Sequence, residues 1–177
     1  VLRQPLEEKK ITVSRAKYSV EYPANFTLVA AMNPCPCGYY NHPARECVCS
    51  PGSVHRYMSR ISGPLMDRID LHVEVTPVTP QELSAAAPGE ASAAVRERVI
   101  RARAVQEARF GGVEGVHTNS MMNSAMLREY CRLDAASAAL LERAMERLSL
   151  SARAYDRILK AARTIADLAG RADIVQT

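Results

Sequence analysis

The sequence predicts an α/β protein: sheet strands and a basic β-hairpin in the first part of the chain, followed by an all-α domain. Three patterns carry that expectation. Residues 11–22 alternate in polarity, residues 26–32 form an unbroken apolar run between prolines, and the chain beyond residue 90 is Ala-rich with helical periodicity. The first domain is placed at 1–77, a Pro-rich linker at 78–90 and the helical domain at 91–177.

Each element has its own signal. Val1 to Leu6 has the composition of a helix end. Ile11-Thr-Val-Ser14 and Tyr18-Ser-Val-Glu-Tyr22 then alternate around Ala16-Lys17, as expected for a hairpin, and Lys9, Lys10, Arg15 and Lys17 make it basic. Phe26 to Met32 is apolar on both faces, the pattern of a buried strand in a parallel sheet. Leu71-His-Val-Glu-Val75 reads as a second strand, with a helix expected at 53–61 before it. Pro77, Pro80, Pro88 and Gly89 mark the linker. Helices are expected at 91–110, 123–131, 134–148 and 151–169, broken by Gly111-Gly112, by Asp134 as an N-cap and by Ser149 to Ser151. On the last of them Ala154, Ile158, Ala161, Ile165 and Leu168 share one face, and Arg153, Arg157 and Lys160 share another.

Bulk properties narrow the function classes. With 47% apolar residues in 177, the chain can bury a core, and with no Trp and two Phe that core rests on aliphatic side chains and Ala. The net charge of +4 is modest and dispersed, so it permits nucleic acid as a partner without requiring it. No run approaches the ~20 apolar residues of a membrane span, and there is no signal-peptide pattern, so a cytoplasmic protein without membrane contact is expected. In that compartment thiols stay reduced. Four of the five Cys fall in the loop 34–52, as Cys35-Pro-Cys37 and Cys47-Val-Cys49, and two thiolate pairs suit tetrahedral Zn²⁺. His42 and His55 are nearby substitutes, free buried thiols are the alternative, and Cys131 is expected in the helical core.

Three further positions suit a phosphate or a ligand. Asn33 follows the apolar run 26–32, and in open α/β sheets ligands bind beyond the carboxyl ends of strands, although Asn33-Pro34 also suits a simple turn. Arg60 and Arg68 lie in a short rigid segment, where they could reach a phosphate on a neighbouring subunit or pair with Asp67, Asp70 or Glu74. Arg153 sits in the first turn of the last helix, where free N–H groups and the helix dipole attract anions, though a solvated basic face explains it equally well.

These segments together resemble the magnesium-chelatase-like branch of AAA+ ATPases, in particular the ComM/YifB family. The resemblance runs through Leu28-Val-Ala-Ala-Met-Asn-Pro-Cys-Pro-Cys-Gly38, Arg60-Ile-Ser-Gly-Pro-Leu-Met-Asp-Arg-Ile-Asp-Leu71, Leu150-Ser-Ala-Arg-Ala-Tyr-Asp-Arg157 and Ala162-Arg-Thr-Ile-Ala-Asp-Leu168. It implies a partial AAA+ core followed by a helical lid. It further implies a sensor-1 role for Asn33, an arginine-finger role toward a neighbouring subunit for Arg68 with Arg60 as second candidate, and a sensor-2 role for Arg153. The hairpin would then point toward the pore of a hexamer and meet branched or single-stranded DNA, in a motor that drives branch migration with ATP and Mg²⁺.

Residues 1–177 contain no Gly-x-x-x-x-Gly-Lys-Ser/Thr loop and no Asp-Glu pair after an apolar strand. The chain is therefore expected to be a fragment, cut at both ends and inactive by itself. A subunit of a magnesium-inserting chelatase and a non-enzymatic zinc module binding DNA or protein are the competing expectations.

Overall fold

The computed structural model describes residues 2–75, 77–85 and 89–175, which form a mixed α/β protein in two compact units, Val1–Gln81 and Glu82–Thr177. The first unit opens with α1 (Arg3–Glu8), followed by an antiparallel hairpin of β1 (Lys10–Arg15) and β2 (Tyr18–Pro23). Lys9 closes α1 in the left-handed region (φ 56°), donating its N–H to Pro5 O, and its carbonyl accepts from Ala24 at 2.7 Å. Helix end and hairpin base are thus one hydrogen-bonded unit. In the hairpin Ile11 faces Tyr22, Val13 faces Val20 and Arg15 faces Tyr18, and all six are exposed.

After the hairpin come α2 (Pro51–Met58) and the single turn α3 (Gly63–Met66). Ser50 caps α2 by accepting from the Ser53 N–H at 3.3 Å, and Pro51 supplies a first helical residue whose missing N–H costs nothing there. Two expected strands are not found. The run 26–32 and the run 71–75 have no ladder partner, and Val29, Val73 and Val75 are 90%, 80% and 86% exposed. A strand that is apolar on both faces needs neighbours on each edge and a layer over each face. Among the described residues the hairpin is the only sheet.

Between 78 and 90, where a linker is expected, Pro80–Ala85 forms the short helix α4. The second unit holds α5 (Ser92–Phe110), a 3₁₀ turn (Asn119–Met121), α6 (Ser124–Tyr130), α7 (Ala135–Arg147) and α8 (Ala152–Leu168). Each of the last three starts at a capping side chain. Asn123 accepts from Ala125 and Met126, Asp134 from Ser137 at 2.7 Å, and Ser151 from Ala154 at 3.3 Å. Helix α8 stops at Gly170, whose φ of 66° lets Gly170 N–H reach Asp167 O and Arg171 N–H reach Ala166 O. The core gathers Phe110, Met122, Leu127, Cys131, Leu159, Ala166 and Ile174, with Tyr130 edge-on to Phe110 at 5.7 Å between ring centres. Cys131 lies there as expected, and burial pushes its thiol above the ordinary range.

The face that α8 turns inward differs from the expected one. Ile158, Ile165 and Leu168 are exposed, whereas Leu159, Arg163, Ala166 and Asp167 are buried. The reason is an ionic cluster. The Asp167 carboxylate accepts from Arg109 at 2.6 and 2.8 Å, from Asn119 Nδ2 at 2.8 Å and from Arg163 Nε at 3.1 Å. Arg163 spends its other donors on the carbonyls of Arg171 and Ala172, at 2.7 and 2.6 Å, which the Gly170 turn presents to it. The cluster ties α5, the 3₁₀ turn and both ends of the α8 termination together, so apolar periodicity alone selects the wrong face.

Burial by itself would raise the Asp167 carboxyl, but hydrogen bonds from Arg109 and Asn119 and the charges of both arginines hold it below the usual carboxylate range. Its contribution to stability is therefore complete above the unfolded value of about pH 3.9 and is lost as pH falls through the depressed folded value. Replacing Asp167 with Ala leaves two cations without their shared anion, and should destabilise the helical unit by roughly 3–5 kcal/mol in denaturant unfolding followed by circular dichroism. A loss under about 1 kcal/mol would show that the cluster is not what holds these helices.

Candidate functional site

The Cys-rich loop begins with a tight turn in which Gly38 N–H donates to Cys35 O at 3.0 Å, and Gly38 sits at φ 83°, where a side chain is strained. Pro34 and Pro36 restrict the backbone on either side of Cys35. The loop then returns past Tyr39, whose hydroxyl accepts from Arg45 at 2.7 Å and whose ring meets His42 edge-on, and it enters α2 directly after Cys49. His42 accepts the Ala44 N–H through Nδ1, and His55 is exposed on α2. Neither belongs to the sulfur cluster.

This path brings all four sulfurs within 4.8 Å of one another. Cys35 Sγ lies 3.3 Å from Cys37 and 3.7 Å from Cys47, and Cys37 lies 3.6 Å from Cys47. Sulfurs at the corners of a tetrahedron around a metal with ~2.3 Å bonds are about 3.8 Å apart. The spacing therefore fits one shared ion and is far longer than a disulfide bond of about 2.05 Å. Among the described residues of the first unit only Pro5, Cys35 and Val54 are buried, so little apolar core competes to organise this loop.

Protonation is unequal among Cys37, Cys47 and Cys49. The Tyr39 N–H, followed by the Cys35 and Cys49 thiols and the Val48 N–H, lowers Cys37 to about 6 against the cost of burial. For Cys47 the Cys49 N–H favours the thiolate, but burial and the neighbouring Cys37 and Cys35 sulfurs outweigh it and push the group up to about 12. Cys49 is raised although the Cys37 backbone favours its thiolate, again by burial and by the sulfurs of Cys37 and Cys35. Four thiolates this close repel one another, and a divalent cation at their centre removes that repulsion. The loop could hold a metal.

The remaining expected residues fall in separate places. Asn33 lines an open depression of about 340 Å³ together with Ala31, Met32 and Tyr57 of α2. Arg60 is exposed in the turn after α2. Arg68 follows α3 with its side chain only 15% exposed, one terminal nitrogen 2.8 Å from Glu7 Oε2 and the other donating to the Pro64 carbonyl. Sequence spacing offers Asp67, Asp70 or Glu74 as the intrachain partner of Arg68, and the fold brings Glu7, sixty-one positions earlier, to its guanidinium. Arg153 is exposed in the first turn of α8, in the second unit. Lys9, Arg15 and Lys17 are exposed on or beside the hairpin, whereas Lys10 is paired with Glu21 at 2.8 Å, and that hydrogen bond raises its pKa. Only the four cysteines form a compact cluster.

A basic hairpin, a four-cysteine loop and a capped helical unit in this order define a recognisable class. Residues 1–83 match the family described as magnesium chelatase, subunit ChlI, and residues 89–177 match its C-terminal part, so the chain belongs to the magnesium chelatase ChlI family. Within that class it is similar to the competence protein ComM of Haemophilus influenzae, at 45% identity over 99% of this chain and 33% of that protein. It is also similar to the YifB protein of Escherichia coli, at 42% identity over 98% of this chain and 33% of that protein. An uncharacterized protein of Mycobacterium tuberculosis matches at 40% identity over 96% of the chain. The chain thus spans about a third of the length of these relatives. No helix among the described residues is long and apolar enough to cross a membrane.

The metal centre has a direct test. Purified protein, reduced and titrated with Co²⁺ as a spectroscopic probe, should take up one ion per chain with thiolate charge-transfer absorption, and Zn²⁺ should displace it. Cys35→Ser should weaken uptake by tenfold or more, and uptake should fall as the pH drops because ligands must be deprotonated. Unaltered uptake in Cys35→Ser would exclude the cluster as the site.

Proposed function

We propose that this chain is part of an ATP-driven, hexameric DNA-remodelling motor of the AAA+ type, located in the cytoplasm and acting in branch migration or a helicase-like process. The observation that carries this reading is the likeness to a competence protein along 99% of the chain, through the segments that hold Asn33, Arg68 and Arg153. Competence concerns the uptake of DNA, which gives the basic hairpin a reason to exist.

In this reading the apolar run 26–32 and the segment 71–75 are strands of a larger sheet completed by other parts of the full-length protein, which supplies the phosphate loop and the acidic Mg²⁺ site. Their exposure here supports that, since so much apolar surface calls for a cover. Asn33 orients the attacking water as sensor 1, and Arg153 couples the helical lid to the γ-phosphate of the same subunit. Arg68 stabilises charge on the phosphoryl group transferred in the neighbouring subunit, with Arg60 as second candidate. A guanidinium suits that task because it is planar, permanently charged and able to donate two parallel hydrogen bonds. Zn²⁺ on Cys35, Cys37, Cys47 and Cys49 fixes the loop between Asn33 and α2. Lys9, Lys10, Arg15 and Lys17, with Tyr18 and Tyr22 exposed beside them, contact the DNA backbone and bases.

A second reading, an ATPase subunit driving Mg²⁺ insertion into a porphyrin, is favoured by the description of the matched family itself. The two separate cleanly. In the full-length protein, ATP hydrolysis should rise with branched or single-stranded DNA, Arg68→Ala should lower kcat by about 10³-fold or more while sparing ATP binding, and Arg153→Ala should lower turnover as well. Unchanged turnover in Arg68→Ala removes that assignment, and an ATPase indifferent to DNA but stimulated by a porphyrin favours the chelatase.

A further inference from the structure

The Arg68 side chain is held in a way that its proposed task does not explain. An arginine that reaches a phosphate on another subunit has to present its terminal nitrogens outward. Here the side chain is folded back into its own unit: one terminal nitrogen is ion-paired with Glu7 at 2.8 Å, the other donates to the Pro64 carbonyl, and buried Nε has no acceptor among the described residues. Leaving a buried guanidinium N–H without an acceptor is costly, so this arrangement favours leaving as soon as a better acceptor is offered. A carboxylate on the guanidinium also neutralises the charge that would act on a phosphate.

Glu7 is not an arbitrary partner. It lies in the last turn of α1, two residues before Lys9, which closes that helix and whose carbonyl is bonded to Ala24 at the far side of the hairpin base. Lys10 begins β1 immediately afterwards and pairs across to Pro23. No flexible spacer separates the carboxylate from the hairpin. A tilt of the hairpin must therefore move α1, and the end of α1 carries the group that holds Arg68.

We infer that Glu7 is a positioning residue that latches Arg68 within its own subunit, and that nucleic acid pressing on the hairpin releases it toward the neighbour's nucleotide. The inference rests on the reading of Arg68 as an arginine finger. It adds the route by which DNA stimulates hydrolysis: the basic hairpin senses the polyanion, α1 transmits the displacement, and breaking the Glu7 pair frees one terminal nitrogen of Arg68 for a phosphate oxygen, while the other exchanges the Pro64 carbonyl for a second. No covalent bond changes in this step, which is an exchange of acceptors on the same cation.

The experiment uses the full-length protein with Glu7→Gln, which keeps the size of the side chain and removes its charge. ATP turnover is measured with and without single-stranded DNA, beside Glu8→Gln as a neighbouring control whose carboxylate instead accepts from Gln4 at 2.9 Å. Glu7→Gln should raise the DNA-independent rate severalfold and bring the stimulation by DNA close to one, with KM for ATP unchanged, and Glu7→Asp should restore part of the DNA dependence. Equal turnover to the parent in both conditions overturns the latch, and so does a uniform loss with and without DNA, which would mark Glu7 as merely structural. Failure of the finger itself is distinguishable, because then Arg68→Ala leaves turnover intact whatever Glu7 does. Should Glu7→Gln lower the melting temperature, the double variant with Arg68→Lys decides: persistence of DNA-independent turnover above that of Arg68→Lys alone supports the latch, and its absence overturns it.

Discussion

The helical unit depends on one buried carboxylate. Asp167 has no exposed side-chain surface, and it is shared by Arg109 from α5, Asn119 from the 3₁₀ turn and Arg163 from its own helix. Such a cluster stabilises only when every member is satisfied, and here the satisfaction extends outward. Arg163 reaches the Arg171 and Ala172 carbonyls, Asn119 reaches Thr164, and the Asn119 N–H reaches Gln106 at 3.3 Å. Register, helix termination and the placement of Ile174 in the core follow from it. An apolar substitute of equal volume could hold the helices together, but it would not specify which turn of α5 meets which turn of α8.

The first unit is built on a different constraint. Its described residues bury almost no apolar side chain, so hydrogen bonds, the hairpin and the sulfur cluster set its local geometry. That division suits the proposed roles. A loop fixed by metal ligation can hold Asn33 and α2 in place without a core, and a hairpin anchored through Lys9 to α1 can transmit displacement to that helix.

The two candidate arginines show how sequence position and environment separate. Arg153 is exposed at the start of α8, behind a Ser151 cap and a Ser149 residue held at φ 49°, so the local turn aims the helix start at solvent. Arg68 is folded inward on Glu7. Both are arginines in short motifs flanked by Ser, Gly or Pro, and only the fold distinguishes an exposed side chain from one folded back on a carboxylate of its own unit.

Much of the local structure was determined by the sequence alone. The helices at 92–110, 124–130, 135–147 and 152–168 start at Asn123, Asp134 and Ser151 or after a Pro-Gly break, and side-chain capping depends on residues within one turn, so a single chain segment suffices to locate them. The hairpin and the grouping of four cysteines were legible for the same reason: alternation and spacing are local. Tertiary structure decided what local pattern cannot encode. It put Asp167 and Arg163 on the buried face of α8 in place of Ile165, because the partners that make this favourable lie 48 and 58 positions away. It left 26–32 and 71–75 without strand partners among the described residues, since a ladder requires neighbours that the pattern of one segment does not supply. It also paired Arg68 with Glu7, sixty-one positions earlier, because an ion pair is chosen by distance in space, and distance along the chain says little about that.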